Sequence, residues 1–220
     1  MESTFSSSII LLDGFAFLLA ILMHLTRRNA NLVRLYMIQS LFLIGILLIL
    51  GFSSGEKSLL WMALLTLFVK VIAAPIFFFR VLRRIPGAEM SATNYLSTPQ
   101  TLLAITALVV LSYSKIIVPI GVSTPDLLGL FSLNLSMVLT SIFLLINRRG
   151  IFTQIVGILC LENSIVLLST IVGAKQPVGL EIGMLFDIAL WIVVALVFIS
   201  MIHTQFGTLS TIPLKKLIEE

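Results

Sequence analysis

The sequence predicts an all-α bundle of about seven transmembrane helices, and three observations carry that expectation. Apolar residues make up 59% of the 220-residue chain and charged residues only 11%, against about 45–50% and about 25% in soluble proteins. Mean hydropathy is +1.15. The apolar residues fall in runs of about 20, the length that crosses some 30 Å of hydrocarbon as a helix. Those runs nearly use up the chain and leave no stretch for a soluble catalytic domain. The bases, in turn, gather in alternate loops, as they do in multi-pass proteins.

Spans are expected at about 8–26, 32–52, 58–80, 100–120, 125–146, 151–173 and 177–203. The first follows MESTFSSS, which holds Glu2 and no base. That is the wrong charge for a cleaved signal, so the run is expected to be retained. The second opens after Arg27 and Arg28. The third contains MALLTLFVKVIAAPIFFF, which places Lys70 about twelve residues, or roughly 18 Å, into the span. Then comes RVLRRIPGAEMSATNYLSTPQ, a linker punctuated by Pro86 and Gly87, with Thr98 and Pro99 suited to opening the next helix. The fourth span runs into SYSKIIVPIGVSTPD, where Pro119, Gly121 and Pro125 argue for an early break. The fifth and sixth flank Arg148 and Arg149. The short loop VGAKQP joins the sixth to the seventh as antiparallel neighbours, and TLSTIPLKKLIEE follows as a surface tail.

Assigning loops alternately to the two sides puts ten bases on one side, Arg27, Arg28, Arg34, Arg80, Arg83, Arg84, Arg148, Arg149, Lys215 and Lys216. Only three, Lys57, Lys115 and Lys175, fall on the other. The net charge of +4 is therefore read as topology and not as nucleic-acid binding. The positive-inside rule predicts a cytoplasmic C-terminus and an outside N-terminus. The stretch RRNANLVRLYMIQSLFLIGILLILG also resembles RRGIFTQIVGILCLENSIVLLSTIVG in its paired arginines, mid-span polar insertion and closing glycine. The expected organisation is a three-helix repeat over residues 1–80, a linker with a connecting helix over 81–123, and a second three-helix repeat over 124–220. Any two amphiphilic spans with a basic inner end share some of these features, which is the plainer explanation of the likeness.

The candidate functional residues are the ionisable groups at mid-membrane depth. Glu162 stands about twelve residues past Gly150, and Asp187 about eleven past Gln176 from the opposite side, so both lie roughly 16–18 Å deep. A charge there costs about 2.5–3.5 kcal/mol on insertion scales, and such residues mark ion or proton paths by default. Lys70 shares that depth. Glu181 lies six residues before Asp187, rotated by about 120° and nearer the outer surface; it leads protons in or out, or merely snorkels. Gln39, Ser40, Asn163 and Ser164 are the supporting polar residues. The plainer alternative is that these groups only join helices, at about 0.6 kcal/mol per bond in membranes. Asp13, about one turn inside the first span, is weaker evidence. His24 and His203 at cytoplasmic ends need no explanation beyond solvation, and Trp61, Trp191 and Phe77 to Phe79 read as interfacial or packing residues. With one cysteine, Cys160, and two histidines, no disulfide framework, metal site or cofactor is expected.

The segments RRGIFTQIVGILCLENS, GLEIGMLFDIALWIVVALVF and HTQFGTLS, with YMIQSLFLIGI and VKVIAAPI in the first half, resemble component E of the formate-hydrogenlyase type of membrane-bound hydrogenase. The last three spans also resemble the K subunit of respiratory complex I, with Glu162 at the position of its first glutamate and Asp187 matching the second in charge only. The resemblance implies a non-catalytic membrane subunit in a prokaryotic plasma membrane. Its partners would be antiporter-like and other membrane subunits of a hydrogenase complex. Its carboxylates would belong to a chain of charges that couples electron transfer to proton or sodium translocation. A stand-alone secondary ion transporter and a structural or assembly subunit are the other classes the residues allow.

Overall fold

The computed structural model describes residues 2–84, 93–114 and 128–172, and all of its extended elements are helices. They are α1 (Glu2–Leu25), α2 (Asn29–Ser54), α3 (Lys57–Thr66), a π-helical segment (Leu67–Ala73), α4 (Ala74–Arg84), α5 (Thr98–Ser112), α6 (Leu128–Asn147) and α7 (Ile151–Val172). Five stretches among the described residues are long and apolar enough to cross a membrane: Ser7–Leu25, Asn29–Ser54, Lys57–Arg80, Leu128–Asn147 and Phe152–Thr170. They correspond to the first, second, third, fifth and sixth expected spans. The seventh, with Glu181 and Asp187, lies outside the described residues.

The fourth span differs from expectation. α5 covers only 15 residues, about 22 Å at 1.5 Å per residue, which is short of the hydrocarbon thickness. Its start is as the sequence indicates: Ser97 and Gln100 form a capping box, and Pro99 sits in the first turn, where its missing N–H is not needed. Its end comes earlier than Pro119, with a turn at Tyr113 and Ser114.

Two antiparallel hairpins, α1–α2 and α6–α7, form the centre. They lie side by side, so that α1 packs against its parallel neighbour α6, and α2 against α7. The α3–α4 segment lies against α2, and α5 against α6. The shared core is apolar, with Met23, Tyr36, Leu43, Leu47, Met137, Leu144 and Leu159 fully or almost fully buried. Outward faces carry Phe52, Leu103, Val110 and Ile146, all at least 66% exposed. An apolar exterior around an apolar core is what lipid solvation requires.

One end of the bundle is basic. Arg28, Arg34 and Arg83 line a single concavity of about 210 Å³, so the bases of α2 and α4 converge there. Arg149 stacks over Tyr95, 4.7 Å from the ring centre. The stretch before α5 pairs with the α6–α7 turn: Tyr95 N–H donates to Asn147 O at 2.9 Å, Arg149 N–H donates to Thr93 O at 3.1 Å, and Asn94 bridges antiparallel to Arg148. Residues 93–96 of the expected linker are thus a docked strap.

Two residues depart from their expected solvation. Arg148 is fully buried, and its guanidinium donates to the carbonyl oxygens of Met23 and Thr26 at the end of α1. A helix leaves its last carbonyls without donors, and a cation there also complements the negative end of the dipole. Burial pulls the Arg148 pKa down to about 10, so it stays charged at neutral pH. His24 is 1% exposed, donates from Nε2 to Thr140 O at 3.1 Å, and stacks on Phe143. Packing of α1 on α6 takes it out of solvent.

A buried ion pair between three helices

The site begins with the π-helical segment. Pro75 has no N–H to offer the carbonyl one turn earlier, and its ring crowds that carbonyl, so a regular α-helix cannot continue through it. The chain widens instead, and Ala74 N–H bonds Val69 O, five residues back. Buried side chains then recur every four residues, at Thr66, Lys70, Ala74, Phe78 and Leu82. On an α-helix that spacing drifts by about 40° each step, and the wider turn counters the drift. Lys70 consequently faces inward, with 2% of its surface exposed.

Its ammonium finds two acceptors on α7. Lys70 Nζ lies 2.9 Å from Glu162 Oε1 and donates to Asn163 Oδ1 at 2.9 Å. Counting from Ile151, Glu162 is about 17 Å along a helix of 22 residues, close to its middle. The carboxylate is 13% exposed. Its second oxygen, Oε2, is buried without a partner among the described residues, and so is the Tyr36 hydroxyl.

Asn163 continues the network into α2. Its amide nitrogen donates to Ser40 Oγ at 3.0 Å and, more weakly, to Gln39 Oε1 at 3.4 Å. Ser40 Oγ donates in turn to Tyr36 O. Gln39 Nε2 points to Ala16 O on α1 at 3.4 Å and Met137 Sδ on α6 at 3.7 Å. Gln39, Ser40 and Asn163 are all fully buried. One line of polar groups therefore runs from Glu162 through Lys70, Asn163 and Gln39 to the α1–α6 interface.

Of the sequence-predicted residues, Lys70, Glu162, Asn163, Gln39 and Ser40 come together here. Ser164 faces away from them and meets Ser141 on α6 at 2.9 Å, where Ser141 also contacts Cys160 Sγ at 3.3 Å. Asp187 and Glu181 lie outside the described residues. Sequence reasoning set Asp13 aside, yet it is 1% exposed and bonded by Asn134 of α6. Nothing in the sequence signalled this: Asp13 is only six residues, about 9 Å, into the apolar stretch Ser7–Leu25, and its burial comes from the packing of α1 on α6.

Among the described residues no cluster of histidine, cysteine and carboxylate side chains could hold a metal ion. These features define, among the described residues, an all-helical protein whose five apolar helices suit a multi-pass membrane protein and enclose one ion pair. Compared with protein-family models, with curated proteins and with solved structures, the chain matches none.

Proposed function

We propose that this chain is an integral membrane subunit of a complex-I-related, membrane-bound hydrogenase of the formate-hydrogenlyase type. Its mid-membrane charges contribute to proton or sodium translocation coupled to electron transfer. The observation that carries the reading is the Lys70–Glu162 pair, buried between helices, with Asn163 and Gln39 extending it sideways. A buried pair rarely adds stability over an apolar packing of equal volume, so its presence calls for another role. A base and an acid that share one contact also exchange charge states readily: adding a proton to the acid releases the base, and the orphan oxygen of Glu162 is a place for that proton. Asp187 and Glu181 would continue the path, and antiporter-like subunits would receive it.

In this reading the membrane is the prokaryotic plasma membrane, with Glu2 outside and Glu220 in the cytoplasm, on the side of the basic end. The chain crosses seven times, and its two three-helix units arose by duplication. Supporting the duplication, Asp13 and Asn134 meet at a separation of 121 residues, the same as that between Arg27 and Arg148 (148 − 27). A structural role is the competing reading, since the same bonds tie α2, α7 and the π-helical segment together. Sealed vesicles holding the assembled complex separate the two. Lys70→Met and Glu162→Gln should each leave electron transfer largely intact while lowering ions moved per electron. Normal translocation in both assembled variants would leave only the structural role. Purification of the chain alone, without redox or antiporter-like subunits, would instead favour a stand-alone transporter.

A further inference from the structure

The polar line from Glu162 ends at Gln39, whose amide lies against Ala16 of α1 and Met137 of α6. One turn further along both helices stand Asp13 and Asn134. Both are buried, at 1% and 0% exposure. Asn134 Nδ2 donates to Asp13 Oδ2 and to Leu130 O. The two remaining oxygens, Asp13 Oδ1 and Asn134 Oδ1, are buried and have no partner among the described residues. Two buried orphan acceptors on two side chains already bonded to each other are costly.

We propose that Asp13 is a proton-binding site, occupied in this fold. A proton on Asp13 Oδ1 donates to Asn134 Oδ1 and closes a cyclic acid–amide pair, with two hydrogen bonds in opposite directions. One proton thereby satisfies both orphan oxygens. A metal cation at the same place would need several further oxygens, and these two orphans supply only two ligands. The surroundings agree with a neutral acid. No cation pairs with Asp13 among the described residues, where the Lys70–Glu162 contact is the one salt bridge. From α2 the facing polar group is the uncharged Gln39, and from α6 it is Asn134. At the end of α5 stands Tyr113, half exposed and uncharged at neutral pH. The lysine-paired carboxylate and the proton-holding carboxyl thus stand at opposite ends of one hydrogen-bonded line. The site rests on its own geometry and does not depend on the hydrogenase reading.

Infrared difference spectroscopy of the full chain in lipid, wild type against Asp13→Asn, tests the assignment at neutral pH. The expected result is a neutral-carboxyl C=O band in the wild type that shifts in deuterated water and is lost in Asp13→Asn. Glu162→Gln should leave that band in place. Asp13→Asn should fold, because an amide pair can close the same ring without a titrating proton. Should it not fold, Asn134→Leu serves instead, with the neutral-carboxyl band kept but displaced by loss of the amide partner. An ionised Asp13 at neutral pH overturns the proposal. So does a rise in thermal stability on adding sodium that Asp13→Asn abolishes, since that would make the site a cation site.

Discussion

Removing both members of the Lys70–Glu162 pair should cost much less than the two single removals added together. At 2.9 Å the gross attraction is ~6 kcal/mol for an effective dielectric of about 20, most of which offsets the desolvation of two ions. Glu162→Gln strands the Lys70 ammonium, 2% exposed, without a counter-charge, leaving it only neutral amide oxygens, such as Asn163 Oδ1, to donate to. Breaking a buried pair this way costs about 3–5 kcal/mol, so about 4 is expected. Lys70→Met strands Glu162, which at 13% exposure can take up a proton and become neutral. The cost there falls to about 2 kcal/mol, mainly from unpaired Asn163 and Glu162 oxygens. The double variant holds no buried charge and should lose no more than about 3 kcal/mol, which gives a coupling of about 3 kcal/mol. Reversible unfolding in mixed micelles of the wild type, both single variants and the double variant measures all four corners. Additive costs, with coupling below about 0.5 kcal/mol, would refute the argument that the pair is desolvated and interdependent.

Two further outcomes follow from packing. Arg148→Leu removes the donors that satisfy the Met23 and Thr26 carbonyls, so the end of α1 should fray. Hydrogen exchange at the amides near Met23 should rise while those of α7 near Cys160 stay protected. At Gly157 an added Cβ would lie 3.3 Å from the Leu145 backbone, so the α6–α7 hairpin depends on a residue without a side chain. Gly157→Leu should push the two helices apart and lower stability by about 1–3 kcal/mol, read as a drop in thermal midpoint. Gly14, whose Cβ would meet nothing within 4 Å, should tolerate Ala in the same assay.

The class of this protein was legible in its sequence because bilayer solvation acts on composition and run length alone. Any helix facing lipid must be apolar for about 20 residues, so the five long spans could be placed without knowing their neighbours. Local chemistry was equally readable where it needs no partner: the opening of α5 at Thr98 and Pro99 depends only on adjacent backbone. Depth along a helix follows from counting, and that alone set Lys70 and Glu162 at a common level. Counting does not give rotation about the helix axis or the identity of the facing helix. The π-helical segment turned Lys70 inward, the side-by-side placing of the two hairpins set Asn163 against Gln39 and Ser40, and the α1–α6 contact buried His24, Arg148 and Asp13. A charged or polar side chain in a loop or first turn reads as solvated until another segment covers it. Burial is a property of pairs of segments, and only the tertiary structure contains the pairs.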